Sequence, residues 1–286
     1  MAVQQHRRRG GADTRAITAV AAAVLGAAAA VGCSGGADTV AEGAARGDRS
    51  RDGSPGEVRE AADKLTGAGS ALARTSMEMA SGGTRLTIRG EGGYDFVRRM
   101  GRLTVVLPED PTGAEAGRPV TELLTPGALY MKNRGAGVPA DKWVRIDTAT
   151  LEDGNLVTGG ATDPLAAAEL LRGARDIEYV GEEKLSGATV RHYRGTTDIA
   201  LAAEAAEPHA RASLAAAAKG FANDAVPFDA YVDEKGLLRK VRHRFSFVNE
   251  GRTVDVASTT LLYDFGSPVT VQLPDKKDIY SGKIRA

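Results

Sequence analysis

The sequence holds a single cysteine, Cys33, a single tryptophan, Trp143, and only 5% aromatic residues. One thiol makes an intramolecular disulfide impossible, so stability has to come from burial. An excess of one charge is also missing, since Lys and Arg number 37 and Asp and Glu number 37. A nucleic-acid binder carries a basic stripe and an excess of Lys and Arg, and this even mixture argues against such a partner. Catalytic signatures are absent too. There is no H-E-x-x-H helix and no P-loop, and Gly90-Glu91-Gly92-Gly93 lacks the spacing and following helix of a dinucleotide loop. His192, His209 and His243 lie far apart without metal-ligand spacing. The acid pairs Glu109-Asp110, Glu152-Asp153 and Glu182-Glu183 each sit beside Pro or Gly, as solvated turns do. The expectation is a non-enzyme with no cofactor and no metal.

What is present begins with an export signal. Arg7, Arg8, Arg9 and Arg15 lead into a run over residues 17–30 that is almost wholly Ala, Val, Leu and Gly. This run is too short and too alanine-rich for a spanning helix, which needs about twenty strongly apolar residues. It ends in Ala30-Val31-Gly32-Cys33, which resembles the lipobox of bacterial lipoproteins with Ala30 where Leu is usual. Small residues suit the peptidase, and the Cys33 thiol would supply the thioether to a lipid. The competing reading is a conventional secretory signal cut nearby, with Cys33 incidental. Residues 1–32 are therefore expected to be a signal peptide, and Cys33 a lipidated, palmitate-type anchor on the outer face of the cell membrane. More than one acyl chain makes such anchoring stable. Removing the signal takes four Arg and Asp13 from the totals, leaving 33 basic and 36 acidic residues.

Residues 33–53 are Gly, Ala, Ser, Asp and Arg with little apolar besides Val40, too polar to order themselves, and read as a tether. Residues 54–286 read as one domain. Ser54-Pro55-Gly56-Glu57 is a capping box with Pro at the first helical position, and apolar residues at helical spacing continue to Leu72. From Thr75 the period is two. Met77 and Met79 face Leu86 and Ile88 across Gly82-Gly83, and after a break expected at residues 90–93 come Leu103, Val105 and Leu107 on one parity. Pro126-Gly127 turns residues 120–124 onto 128–132, and Trp143-Val144-Arg145-Ile146 follows. Asp163-Pro164 opens a short helix over 165–171. Residues 177–180 and 189–194 read as strands, residues 198–220 as a helical stretch broken at Pro208, and residues 226–232, 237–248 and 252–265 as a meander.

About ten strands in sequential hairpins with a few helices make an α+β fold. The sheet should curl as twist accumulates, with an apolar concave face under alanine-rich helices. The elements together resemble the LppX/LprG-type lipoproteins of actinobacteria: Cys33 after its signal, the capped helix, the strand pairs at 76–88 and 103–107, Leu129-Tyr130-Met131-Lys132 leading to Trp143, the turn at 232–240, and Tyr263-Asp264-Phe265-Gly266-Ser267-Pro268-Val269. The resemblance implies the LolA-like fold, a curved antiparallel half-barrel wrapped around a few helices. It also implies carriage of triacylated lipids or lipoglycans across the cell envelope by members with a large cavity. It brings no catalytic residues.

The expected function is extracytoplasmic binding or transport of a hydrophobic ligand, an acylated lipid, in a cavity beneath the sheet. By strand parity its lining would be Ile88, Val105, Leu129, Val144, Phe228, Phe245 and Phe247. The rival is the same fold with a filled core, acting as a docking or sensing module for a membrane transporter or sensor protein. Arg98, Arg99 and Arg102, with Arg239, Lys240, Arg242 and Arg244, form two basic clusters. They read either as head-group binders at a cavity mouth or, more simply, as a charged outer sheet face. Trp143 reads as a core ring or a lid.

Overall fold

In a computed structural model of the chain, residues 54–108, 119–134, 137–158, 161–221, 223, 225–249 and 251–282 are described. The expected signal, Cys33, the tether and the Glu109-Asp110 pair lie outside them. The strands are β1 (Ser70–Ser81), β2 (Thr84–Asp95), β3 (Met100–Val106), β4 (Val120–Thr125), β5 (Ala128–Lys132), β6 (Trp143–Asp147), β7 (Ala174–Leu185), β8 (Ala188–Asp198), β9 (Ala225–Asp233), β10 (Leu238–Asn249) and β11 (Arg252–Tyr263). They form one antiparallel sheet in the order β6-β5-β4-β3-β2-β1-β11-β10-β9-β8-β7. Each strand pairs with its neighbour in sequence, and β1 pairs with β11 through Met77 opposite Ser258. The circuit is open only between β6 and β7, whose connection carries helical segments instead of a tight turn. This is the α+β, unclosed, curved sheet expected from the sequence.

The helices are α1 (Pro55–Arg59), α2 (Ala61–Ala68), α3 (Pro164–Glu169), α4 (Ile199–Ala205) and α5 (Pro208–Gly220). Ser54 caps α1 by accepting the Gly56 N–H at 3.3 Å. Glu57 does not close the other half of the expected box. Its carboxylate accepts from the Tyr193 hydroxyl at 3.0 Å and pairs with Arg191 at 2.9 Å, tying the helix to β8. The helical stretch also ends earlier than the pattern to Leu72 suggested: Gly69 takes φ 82° and β1 starts at Ser70. Leu72 continues the helical spacing of Leu65 and Ala68, but the sheet claims it, opposite Gly93 and Tyr263.

A second difference lies at residues 90–93, expected to break the chain and found inside β2. A side chain at Gly92 would run into the Arg102 carbonyl, and a Cβ at Gly93 would lie 2.8 Å from Val269. These glycines mark close backbone approach inside a strand, not a turn.

The core lies between the concave face and the helices. Ala61, Ala62, Ala168, Ala202 and Ala217 are fully buried, as are Leu65, Leu170 and Leu171, against Leu103, Val105, Ala230 and Val232. Alanines bring the helix backbones close to the sheet, and leucines fill what remains. Arg172 ties the helices to one another, at 2.8 Å from the buried Glu169 at the end of α3 and 2.6 Å from Asp63 of α2. At one sheet edge the C-terminal segment covers β6, Ile279 bridging Trp143 in parallel while the Tyr280 N–H donates to the Trp143 carbonyl at 2.8 Å. The other edge, β7, is bulged and carries Glu178, Glu182, Glu183 and Lys184, which discourages pairing with another chain. No helix among the described residues is long and apolar enough to cross a membrane.

Candidate functional site

The β9–β10 ladder runs from Leu238 opposite Val232 to His243 opposite Phe228 and stops there. In the same register Arg244 would face Pro227 and Phe245 would face Val226, but these positions are unpaired. Pro227 has no N–H to give, so the ladder ends where its donor is missing. The two strands part, and a cleft of about 420 Å³ opens through the seam.

The inner wall of this cleft is apolar, built from Met79, Phe221, Val226, Phe245 and Val256. Its outer lip is charged, with Arg85, Arg242 and Arg244 alongside Glu78 and Asp255. Phe221 follows α5 directly, its N–H donating to the Ala217 carbonyl at 3.1 Å, and its ring stacks on Phe245 with centroids 4.8 Å apart. Its other side meets the Phe247 ring edge-on at 6.5 Å. Phe247 and Phe221 then line a second cleft of about 350 Å³, closed off by the loop that carries Leu151, Asp153 and Val157. One ring thus separates two openings. That loop is held by Asp153, whose carboxylate accepts from the N–H groups of Asn155, Val157 and Thr158 at 2.6–3.0 Å.

Of the seven residues chosen by strand parity, Phe245 and Phe247 line these clefts. Ile88, Val105, Leu129, Val144, Phe228 and Phe245 belong to the packed core, with Phe247 against its margin. Sequence reasoning missed Phe221, Val226, Met79 and Val256. The signal that could have found them was Pro227 inside a strand pattern, which forecasts a broken ladder.

Most cations of the second basic cluster are already matched. Arg244 lies 2.7 Å from Asp229, Arg242 lies 3.3 Å from Glu78, Arg239 lies 3.4 Å from Asp233, and Lys240 sits over the Tyr231 ring. Asp229 also receives His192 at 2.9 Å and Arg194 at 3.4 Å. These contacts fit the charged outer face better than a free head-group rim. Trp143 is half-buried under Lys132 at the β6 edge. His192 lies on the outer face, His243 in the core and His209 on α5, and no group of metal-ligating side chains occurs among the described residues.

Two buried groups carry unusual acidities. Burial pushes the Glu122 carboxyl up to about 8, opposed by Arg134, and neither of its oxygens has a hydrogen-bond partner. Burial also pulls His243 down to about 3, so it stays neutral in the core.

No family model and no curated protein matches the sequence. Solved structures similar to it include the lipoprotein LppX of Mycobacterium tuberculosis, at 11% identity and TM-score 0.45, covering 76% of this chain and 97% of that one. LprF of Mycobacterium bovis is similar at 12% identity and TM-score 0.38, over 77% and 96% of the two chains. A putative outer-membrane lipoprotein-sorting domain of Vibrio parahaemolyticus is similar at 11% and TM-score 0.30, over 76% and 95%.

Proposed function

We propose that the chain is an extracytoplasmic, Cys33-anchored, non-enzymatic lipoprotein that binds an acylated lipid at the seam between β9 and β10. The observation that carries this reading is the ladder ending at His243–Phe228, beyond which the largely buried Phe221, Val226 and Phe245 form the apolar wall of the cleft. A volume of about 420 Å³ falls at the lower end of ligand sites, which span roughly 300–1,000 Å³. One acyl chain suits it better than three. Apolar burial there contributes about 25 cal/mol per Å².

The packed interior supports a second reading, the filled-core docking or sensing module for a membrane transporter or sensor protein. Native mass spectrometry of the full-length protein after mild purification separates the two. Lipid adducts that Ala257→Trp removes support the carrier, because Ala257 lines the cleft from the strand that borders it. A clean apo spectrum, or adducts indifferent to Ala257→Trp, sinks the carrier and leaves the docking module.

A further inference from the structure

Away from the seam, a small cavity of about 50 Å³ with polar groups set among apolar ones lies between the end of β2, the β4–β5 turn, the N-terminus of α3 and α5. About 10–15 Å³ of such space holds one water, so this cavity has room for a guest several atoms long. Two buried polar atoms at its wall have no partner, Asn155 Oδ1 and His209 Nδ1. Asn155 is only 5% exposed. Buried polar atoms are nearly always paired, so an orphaned pair at one void indicates a missing partner.

The rest of the lining is already organised. Asp163 accepts the Tyr94 hydroxyl at 3.1 Å with one oxygen and the Leu165 and Ala166 N–H groups at 2.8 and 3.1 Å with the other. Thr148 and Ser213 share a hydroxyl contact at 2.8 Å, which uses one of their two protons and leaves the other free. Arg99 and Asn155 line the cavity with φ 57° and 68°, left-handed values that are costly for non-glycine residues and collect at functional sites. Gly154 lets this happen beside Asn155. A Cβ there would run into the Ser213 carbonyl, so the loop backbone lies directly on α5.

Charge selects the guest. The Asn155 carbonyl oxygen accepts only, and the lining carries one side chain of each charge, the Asp163 carboxylate and the Arg99 guanidinium, so an ion of either sign meets one attractive and one repulsive charge and gains little net over a neutral guest. What fits is an uncharged molecule that gives protons to Asn155 Oδ1 and takes one from the Thr148–Ser213 pair. We propose that this cavity is a binding site for adjacent hydroxyl groups of a small neutral polyol, such as a glycerol unit or the exposed diol of a sugar. The site is separate from the apolar seam and stands whether or not that seam takes lipid.

The test is a titration of the isotope-labelled full-length protein with glycerol and with myo-inositol, using acetate and methylammonium as charged controls, read from the Asn155 side-chain amide in the parent and from the backbone amides of the lining residues Gly154, Ala210 and Ser213 in parent and variants alike. Saturable shifts with a polyol are expected, with binding of each control weaker by about tenfold, or about 1.4 kcal/mol. Asn155→Gly removes the acceptor at a backbone angle glycine adopts freely, and His209→Ala removes the second orphan. Each should weaken polyol binding severalfold. Absence of saturation with both polyols, as in a cavity holding water only, overturns the proposal. So does stronger binding of acetate or methylammonium, or polyol binding unchanged in both variants.

Discussion

Phe221 and Phe245 stack at 4.8 Å with their planes 23° apart, and the Phe221 ring lines both the seam cleft and the cleft beneath the Asp153 loop. Phe221→Ala should merge the two and cost about 3 kcal/mol, toward the low end for a buried phenylalanine because one flank is already open. Denaturant titration measures the loss. Native mass spectrometry should show longer acyl adducts on the variant than on the parent, and an unchanged adduct distribution would count against the seam as the ligand site.

Stability should depend on pH through two buried groups acting in opposite directions. Glu122 has its carboxyl raised to about 8 in the fold against 4.5 ordinarily, so the unfolded chain ionises first and stability falls as pH rises through that interval. His243, lowered to about 3 from 6.5, is charged first in the unfolded chain, so stability falls as pH drops through that interval. Glu122→Gln should flatten the alkaline limb and His243→Phe the acidic one. Chemical unfolding at a series of pH values reads both.

Glycine replacements should split by position. Gly92→Ala forces β2 from β3 at the Arg102 carbonyl and should cost more than about 2 kcal/mol. Gly67→Ala, near the end of α2 with nothing within 4 Å of the new methyl, should gain roughly 0.5–1 kcal/mol from helix propensity. Thermal melts of the two variants check the contrast.

Cys33→Ala should move the protein from the membrane fraction to the soluble one without altering its melting temperature. Fractionation and a melt of the released protein measure the two halves of this expectation. Release with lost stability would mean that the anchor does more than tether.

Much of the sheet was legible because one face is buried and the other is not, which leaves a regular alternation. Val226, Phe228, Ala230 and Val232 alternate with polar residues and all point inward, and Gly82-Gly83 and Pro126-Gly127 turn where turn chemistry places them. The misreadings fall where local pattern is ambiguous. Leu72 sits at helical spacing from Leu65 and Ala68 and equally at a strand position after Gly69, and Gly90 to Gly93 read as punctuation until their neighbours are known to press on them. The seam was harder. Parity tells which side chains face inward, and Phe245 and Phe228 both do, yet only the ladder's end at Pro227 decides which of them borders open space. The small cavity was illegible for a further reason: Tyr94, the pair Asn155 and Asp163, and His209 come from three distant stretches that meet only in the folded chain.

An opening at the end of a ladder can lengthen in one direction only, toward the pairs still closed. The next barrier to widening it is the rung joining His243 to Phe228, followed by the rung joining Arg242 to Asp229. Hydrogen-bonded pairs alternate with unbonded ones along an antiparallel ladder, so each bonded pair released lengthens the slot by about 7 Å, the rise of two residues. The entrance therefore has discrete sizes, set by how many rungs are undone. The fastening beside it, from Arg244 to Asp229 at 2.7 Å, acts as the clasp that keeps the first of them shut.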